Sequence, residues 1–330
     1  MSIEIFSMGV YIVSCQKKPK GDFKMAKFAI IGDSTCDLTP EMRKERDIDY
    51  ARMLVSWTDV KDKSEHEIYA SLDWDQGYSV KEYYDVLRAG NRIITSQVTE
   101  QEYDEVFTRH LEKGEDILYI ACSSGLSASL KLAQRLSNEK YSKKYPDRKI
   151  IIVDSLISCM GQGMMLLRAA DMRDEGKTIE EVAKELEETK LCYNQVATVE
   201  TLDYLKRAGR VKAAKAFFGN LFGVKPILIS DTAGVNHAVD KGKGRKGSII
   251  RVAEMVKETA VEPEKRTCYV LHADAKPEDV ELMVSKIKEL VPFKEIKVMY
   301  LGPIIGCSTG PGTFGIYYYG KEVTVTGEVE

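Results

Sequence analysis

The stretch Cys122-Ser-Ser-Gly-Leu-Ser-Ala-Ser129 gathers Ser123, Ser124, Ser127 and Ser129 around one glycine. Clustered hydroxyls can do two kinds of chemistry. They can donate hydrogen bonds to an anion, or one of them can act as a nucleophile. Gly125-Leu-Ser127-Ala-Ser129 comes close to the G-x-S-x-G elbow of serine hydrolases, but Ser129 replaces the last glycine. A hydrolase also needs a histidine beside its serine. Of His66, His110, His237 and His272, only His272 ends a buried-looking strand near an expected cleft. An acyl ester hydrolase using Ser127 is therefore the runner-up to anion binding. Taken alone, the stretch could be no more than a helix cap.

The elements around it argue for more. Asp116–Ala121 is an apolar run that reads as a buried strand. Leu126, Leu130, Ala133 and Leu136 recur at spacings of three and four, which predicts a helix over 126–136 capped by Ser123 or Ser124. A helix N-terminus presents unpaired N–H groups and suits an anion. Three further apolar runs end in polar turns. Phe28–Ile31 leads into Asp33-Ser-Thr-Cys-Asp37, Ile93-Ile94 into Thr95-Ser-Gln97, and Lys149–Val153 into Asp154-Ser155. Tyr50–Trp57 is a further expected strand. Helices are expected after Thr39-Pro40, at Ser79–Ala89 with a Ser79/Glu82 capping box, and at Glu100–Lys113, Met160–Glu175 and Thr178–Thr189. Strands alternating with helices predict a parallel sheet, and the hydroxyl-rich turns would line the edge where such sheets bind ligands.

The pattern changes after about residue 190. Expected strands are 195–199, 225–230, 235–239, 268–272, 296–301 and 315–319, with helices at 248–259 and 277–290 and a Gly/Pro-rich loop after 301. The expected architecture is two α/β domains, 25–190 with a mainly parallel sheet flanked by helices and 191–330 with a mixed sheet. A ligand would lie in the cleft between them. Residues 1–24 read as a tail or a product of an upstream start. Glu4 and a short, broken apolar segment argue against a secretion signal.

Composition excludes other classes. The chain has 330 residues and a net charge of −3, so no global basic field invites nucleic acid or an anionic membrane. No run is apolar and long enough to span a bilayer. The cysteines number seven, with no C-x-x-C pair, which speaks for a reducing cytoplasm and against a zinc site or a disulfide framework. Gly242-Lys-Gly-Arg-Lys-Gly247 matches a dinucleotide fingerprint only literally and reads as a flexible basic loop. Gly310-Pro-Gly312-Thr-Phe-Gly315 reads as a tight loop. Thr201–Val211 is basic at Lys206, Arg207 and Arg210, and an apolar group follows, a combination that suits a pocket wall or docking surface.

In this order the motifs resemble the DegV family of bacterial fatty-acid-binding proteins. The resemblance rests on Asp33-Ser-Thr-Cys-Asp-Leu38, Thr95-Ser-Gln97, Ser123-Ser-Gly-Leu-Ser127, Asp154-Ser155 with Ser158 and Gly161-Gln-Gly163, Thr201-Leu-Asp-Tyr-Leu205 with Gly209-Arg210, and Gly302-Pro-Ile-Ile-Gly306 with Thr309-Gly-Pro-Gly312. It covers nearly the whole chain from Lys27 onward.

The resemblance implies one long-chain fatty acid buried between the domains, with its carboxylate on Thr95 and Ser127. Ser96 and Ser124, from the same motif blocks, and Gly161, from Gly161-Gln-Gly163, are expected at the carboxylate as well. Ser308 stands where many relatives carry histidine, so it is expected to contact the head group, and binding should vary little between about pH 6 and 7.5. No metal or other cofactor and no catalytic residue is implied. The implied partner is a fatty-acid kinase, docking at Arg210 with Arg207 and Lys206. On that view Arg210→Ala would leave fatty-acid binding intact and weaken phosphorylation. A lipid-sensing regulatory module is the remaining alternative.

Overall fold

The computed structural model describes residues 2–5, 11–14, 28–70, 72–73, 77–212 and 223–327. The strongest apolar runs form the centre of the first sheet. Phe28–Asp33 (β3) and Asp116–Ala121 (β8) are buried along their whole lengths, and Ile150–Asp154 (β9) along most of its length. Such continuous apolar strands are expected where helices cover both faces of a parallel sheet. Together with Ile48–Ala51 (β4) these strands run parallel in the order β9-β8-β3-β4. Ser2–Ile5 (β1) and Tyr11–Ser14 (β2) extend the β9 edge as an antiparallel pair. Part of the stretch read as a tail thus belongs to this sheet, and the rest of it lies outside the described residues.

Most flanking helices start where the sequence signals them. Pro40–Glu45 (α1) is capped by Thr39, and Val80–Arg88 (α2) has the Ser79/Glu82 capping box. Glu100–Glu112 (α3) is capped by Thr99. Ser129–Leu136 (α4) and Met160–Asp174 (α5) follow β8 and β9. Ile179–Thr189 (α6) has a second capping box at Thr178/Glu181.

The single strand expected over 50–57 is two strands in different sheets. Arg52 separates β4 from Met53–Thr58 (β5), which pairs antiparallel with Glu65–Ala70 (β6) and with Ile94–Thr95 (β7). The Thr95-Ser-Gln97 turn therefore leaves this small sheet and not the parallel one.

The second unit is a seven-stranded mixed sheet. It contains Tyr193–Thr198 (β10), Val211–Lys212 (β11), Val224–Ser230 (β12), Asn236–Lys243 (β13), Thr267–His272 (β14), Glu295–Tyr300 (β15) and Phe314–Tyr319 (β16). Their order is β11-β13-β12-β10-β16-β14-β15. Asp203–Ala208 (α7), Gly244–Thr259 (α8) and Pro277–Leu290 (α9) complete it.

Two expected loops are ordered elements. The basic glycine stretch 242–247 spans the end of β13 and the first turn of α8. Pairing with β12 continues through Lys243, past a register shift at Ile227/Leu228, and the polar residues there suit a sheet edge. Gly302-Pro303 and Gly310-Pro311 bracket the helix Pro303–Thr309 (α10) instead of lying in one loop. Pro303 presets the first turn, and Gly310, at φ +87°, ends it.

Candidate functional site

The site begins at the ends of β3 and β8. Asp33 closes β3 and is fully buried. Its Oδ2 accepts from the Cys122 N–H at 2.8 Å and the Tyr119 hydroxyl at 3.2 Å, and its Oδ1 accepts from the Thr35 N–H at 3.1 Å. Burial pushes the Asp33 carboxyl above its ordinary pKa, opposed by these bonds. Thr35 Oγ1 also lies 2.6 Å from Gln162 Oε1, and Gln162 donates to the Ile120 carbonyl. The Thr35 hydroxyl also donates to Asp33 Oδ1, which ties the turn after β3 together. The network fixes Thr35 and Cys122 where both line a pocket.

The loop after β8 is drawn toward the second unit. Ser123 Oγ donates to the Gly234 carbonyl at 2.8 Å, and Ser123 O accepts from the N–H groups of Leu126 and Ser127. A Cβ on Gly125 would stand 2.6 Å from the Ala233 carbonyl oxygen, so only glycine passes there without a shift. These bonds engage Ser123, one of the two serines expected to cap the helix. The helix starts at Ser129 instead, after Ala128, with no side-chain cap.

Ser129 joins the two hydroxyl turns. Its Oγ accepts from the Val98 N–H at 3.1 Å and lies 2.9 Å from Ser127 Oγ. Ser96 is fastened as well, its Oγ accepting from the Leu54 N–H and its own N–H donating to the Leu54 carbonyl. Thr95–Gln97 and Ser127 are thus brought together although they leave different sheets.

They meet in a cavity of about 190 Å³ between the two units. Thr95, Ser96, Ser127 and Ser308 all line it, with Met53, Leu126, Leu205, Ile304 and Ile305 as apolar wall. Ser308 comes from α10, where its Oγ donates to the Ile304 carbonyl at 3.2 Å. Ser124 and Gly161 are elsewhere. Ser124 is exposed and its N–H donates to Asp154. Gly161 packs inside α5 against Ile157, whose side chain would stand 2.3 Å from a Cβ there. Thr35 and Asn236 also line the cavity, and no sequence signal marks either as a site residue. Thr35 lay in a quoted motif, but the pairing of Ser129 with Val98 needs two separated segments to meet.

Arg210 lines the same cavity but is not free. Its Nε donates to the Leu126 carbonyl at 2.6 Å and its Nη1 to the Ala208 carbonyl at 2.6 Å. The independence from ligand binding expected for Arg210 is at odds with this contact. Arg207 is exposed over the Tyr204 ring, and Lys206 is exposed beside it.

Among the described residues, no histidine lines this cavity. His272 accepts from the Ala275 N–H through Nδ1 and lies against Tyr300, and burial lowers its pKa. No group of His, Cys, Asp and Glu among the described residues could hold a metal ion, and no described helix is long and apolar enough to cross a membrane.

Residues 27–321 match the family model described as "Uncharacterised protein, DegV family COG1307". A DegV domain-containing protein of Clostridium perfringens is 35% identical, covering 90% of this chain and 98% of the relative. Among solved structures, a fatty-acid-binding DegV family protein of Thermus thermophilus superposes with a TM-score of 0.77 at 26% identity, covering 89% of this chain and 99% of the other. DegV of Bacillus subtilis, described as a fatty acid binding protein, gives 0.74 at 27% identity, covering 88% and 98%. With the motif order, the two α/β units and a family match along nearly all of its length, the chain belongs to the DegV family.

Proposed function

We propose that the chain binds one long-chain fatty acid between its two units, 25–190 and 191–330, and carries it in the cytoplasm. The observation that supports this best is the meeting of Thr95, Ser96, Ser127 and Ser308 with an apolar wall in one cavity. A carboxylate takes the hydroxyls, and the hydrocarbon takes the wall. A saturated C16 tail would bury roughly 15 carbon groups at about 0.8 kcal/mol each, on the order of 12 kcal/mol before the costs of association. Each charge-assisted hydrogen bond adds about 1.5–3 kcal/mol. The tail therefore sets affinity while Thr95 and Ser127 set orientation. A cavity of about 190 Å³ is small beside the roughly 300–1,000 Å³ of typical ligand pockets. A whole tail requires the wall to part.

Ser127 Oγ lies against Ser129 and not against a histidine, which favours binding over ester hydrolysis. The carrier then presents the acid to a fatty-acid kinase for acyl-phosphate formation, with Lys206, Arg207 and Arg210 as the docking edge. Native mass spectrometry after mild extraction tests the core of this reading. A C14–C18 acid retained or taken up supports it, and a preparation that never holds one removes it.

A further inference from the structure

A second cavity of about 180 Å³ adjoins the first and shares Thr95, Arg210 and Ser308 with it. Its remaining polar lining includes Arg92 and Arg207, and no aspartate or glutamate lines it. The distribution of ion pairs in the chain makes this unusual. Arg43, Arg46, Arg52, Arg88, Arg109 and Arg135 each have a carboxylate oxygen within ion-pair distance. So do Arg148, Arg168, Arg173, Arg245, Arg251 and Arg266. The arginines with no such partner among the described residues are Arg92, Arg207 and Arg210, and all of them line this one cavity.

Their donors are also disposed to remain open. The Arg207 guanidinium lies over the Tyr204 ring, its Cζ 4.6 Å from the centroid, which holds the plane while leaving its N–H edges unspent. Arg210 uses Nε and Nη1 on backbone carbonyls, leaving Nη2. Asn91, by contrast, is consumed by the fold, accepting from the Val60 N–H and donating to the Val86 carbonyl.

Uncompensated guanidinium groups beside a hydroxyl-lined carboxylate site exceed what one carboxylate can neutralise. Planar N–H forks fit tetrahedral oxyanions carrying more than one negative charge. We infer that Arg92, Arg207 and Arg210 form a subsite for a phosphoryl group next to the carboxylate, an assignment that rests on the fatty-acid reading above. The group can arrive on the acyl chain, as an acyl phosphate, or as free inorganic phosphate.

The full chain is titrated with palmitate, with 2-oxoheptadecylphosphonate, in which a methylene replaces the bridging oxygen of the acyl phosphate, and, once loaded with palmitate, with inorganic phosphate. The phosphonate is expected to bind at least about tenfold more tightly than palmitate. Arg92→Ala and Arg207→Ala should each erase most of that gain and leave palmitate affinity within about twofold. Inorganic phosphate bound by the loaded chain and lost in both variants supports the subsite with the free anion as its occupant. Neither a phosphonate gain nor phosphate binding in a chain that binds palmitate overturns it and leaves the carrier reading standing. Equal losses of palmitate and phosphonate in the variants also overturn it. So does an unchanged phosphonate affinity with weakened phosphorylation by a kinase, which would assign the arginines to docking alone. A chain that binds neither palmitate nor phosphonate overturns both readings together.

Discussion

Arg210 and Leu126 are joined across the two units: Arg210 Nε donates to the Leu126 carbonyl at 2.6 Å, one residue before Ser127. The guanidinium thereby holds the loop that carries Ser127 into the cavity. Arg210→Ala is expected to weaken palmitate binding about three- to tenfold, less than loss of a charge-assisted bond to the ligand itself, because the bond orders the loop and does not touch the head group. Unchanged affinity by calorimetric titration would instead leave Arg210 a docking residue only.

The parallel core was legible because Phe28–Asp33 and Asp116–Ala121 are apolar throughout, and buried strands need that composition. Capping boxes at Ser79 and Thr178 likewise announced their helices. Ser123 misled, because its competing partner, the Gly234 carbonyl, lies far along the chain. The helix at 303–309 was hidden by its own bracketing glycines and prolines. Thr95, Ser96, Ser127 and Ser308 were named through the family resemblance. Their convergence depends on bonds such as Ser129 to Val98, which no local pattern reveals.

Gly125→Ala should loosen the seam between the units. Its Cβ would meet the Ala233 carbonyl at 2.6 Å and the Val235 side chain at 2.7 Å. Overpacking of this kind costs about 1–3 kcal/mol. Urea denaturation should show that loss, and a midpoint equal to the parent's would mean the loop yields freely.

Asp37 gives stability a pH dependence. Burial raises its carboxyl to about 7, while the Cys159 thiol donates to it at 2.6 Å and opposes the rise. The folded state therefore prefers the protonated form. That contribution is fully present below the unfolded value near 3.9 and is lost as pH rises through about 7. It amounts to at most ~4 kcal/mol. Asp37→Asn should flatten the decline in stability between about pH 4.5 and 7.5, with buried Asp33 preserving part of the slope. Identical slopes in the two proteins would contradict this.

Ser308 should make ligand affinity insensitive to mild acid. No described histidine lines its cavity, and a serine does not titrate in this range. Palmitate affinity should stay constant between about pH 6 and 7.5, whereas Ser308→His should bind more tightly as pH falls through about 6.5, when an imidazolium faces the carboxylate. A transition near that pH in the parent would point to a histidine at the head group.

The most direct test titrates the chain with palmitate and with hexadecanol, using Ser127→Ala and Thr95→Val beside the parent. Both ligands share the tail, so the difference isolates the head group. Palmitate is expected to bind the parent more tightly than hexadecanol, and each variant should lose about tenfold or more for palmitate while changing little for the alcohol. No binding of either ligand, or equal losses for both in the variants, would contradict a carboxylate held by Thr95 and Ser127.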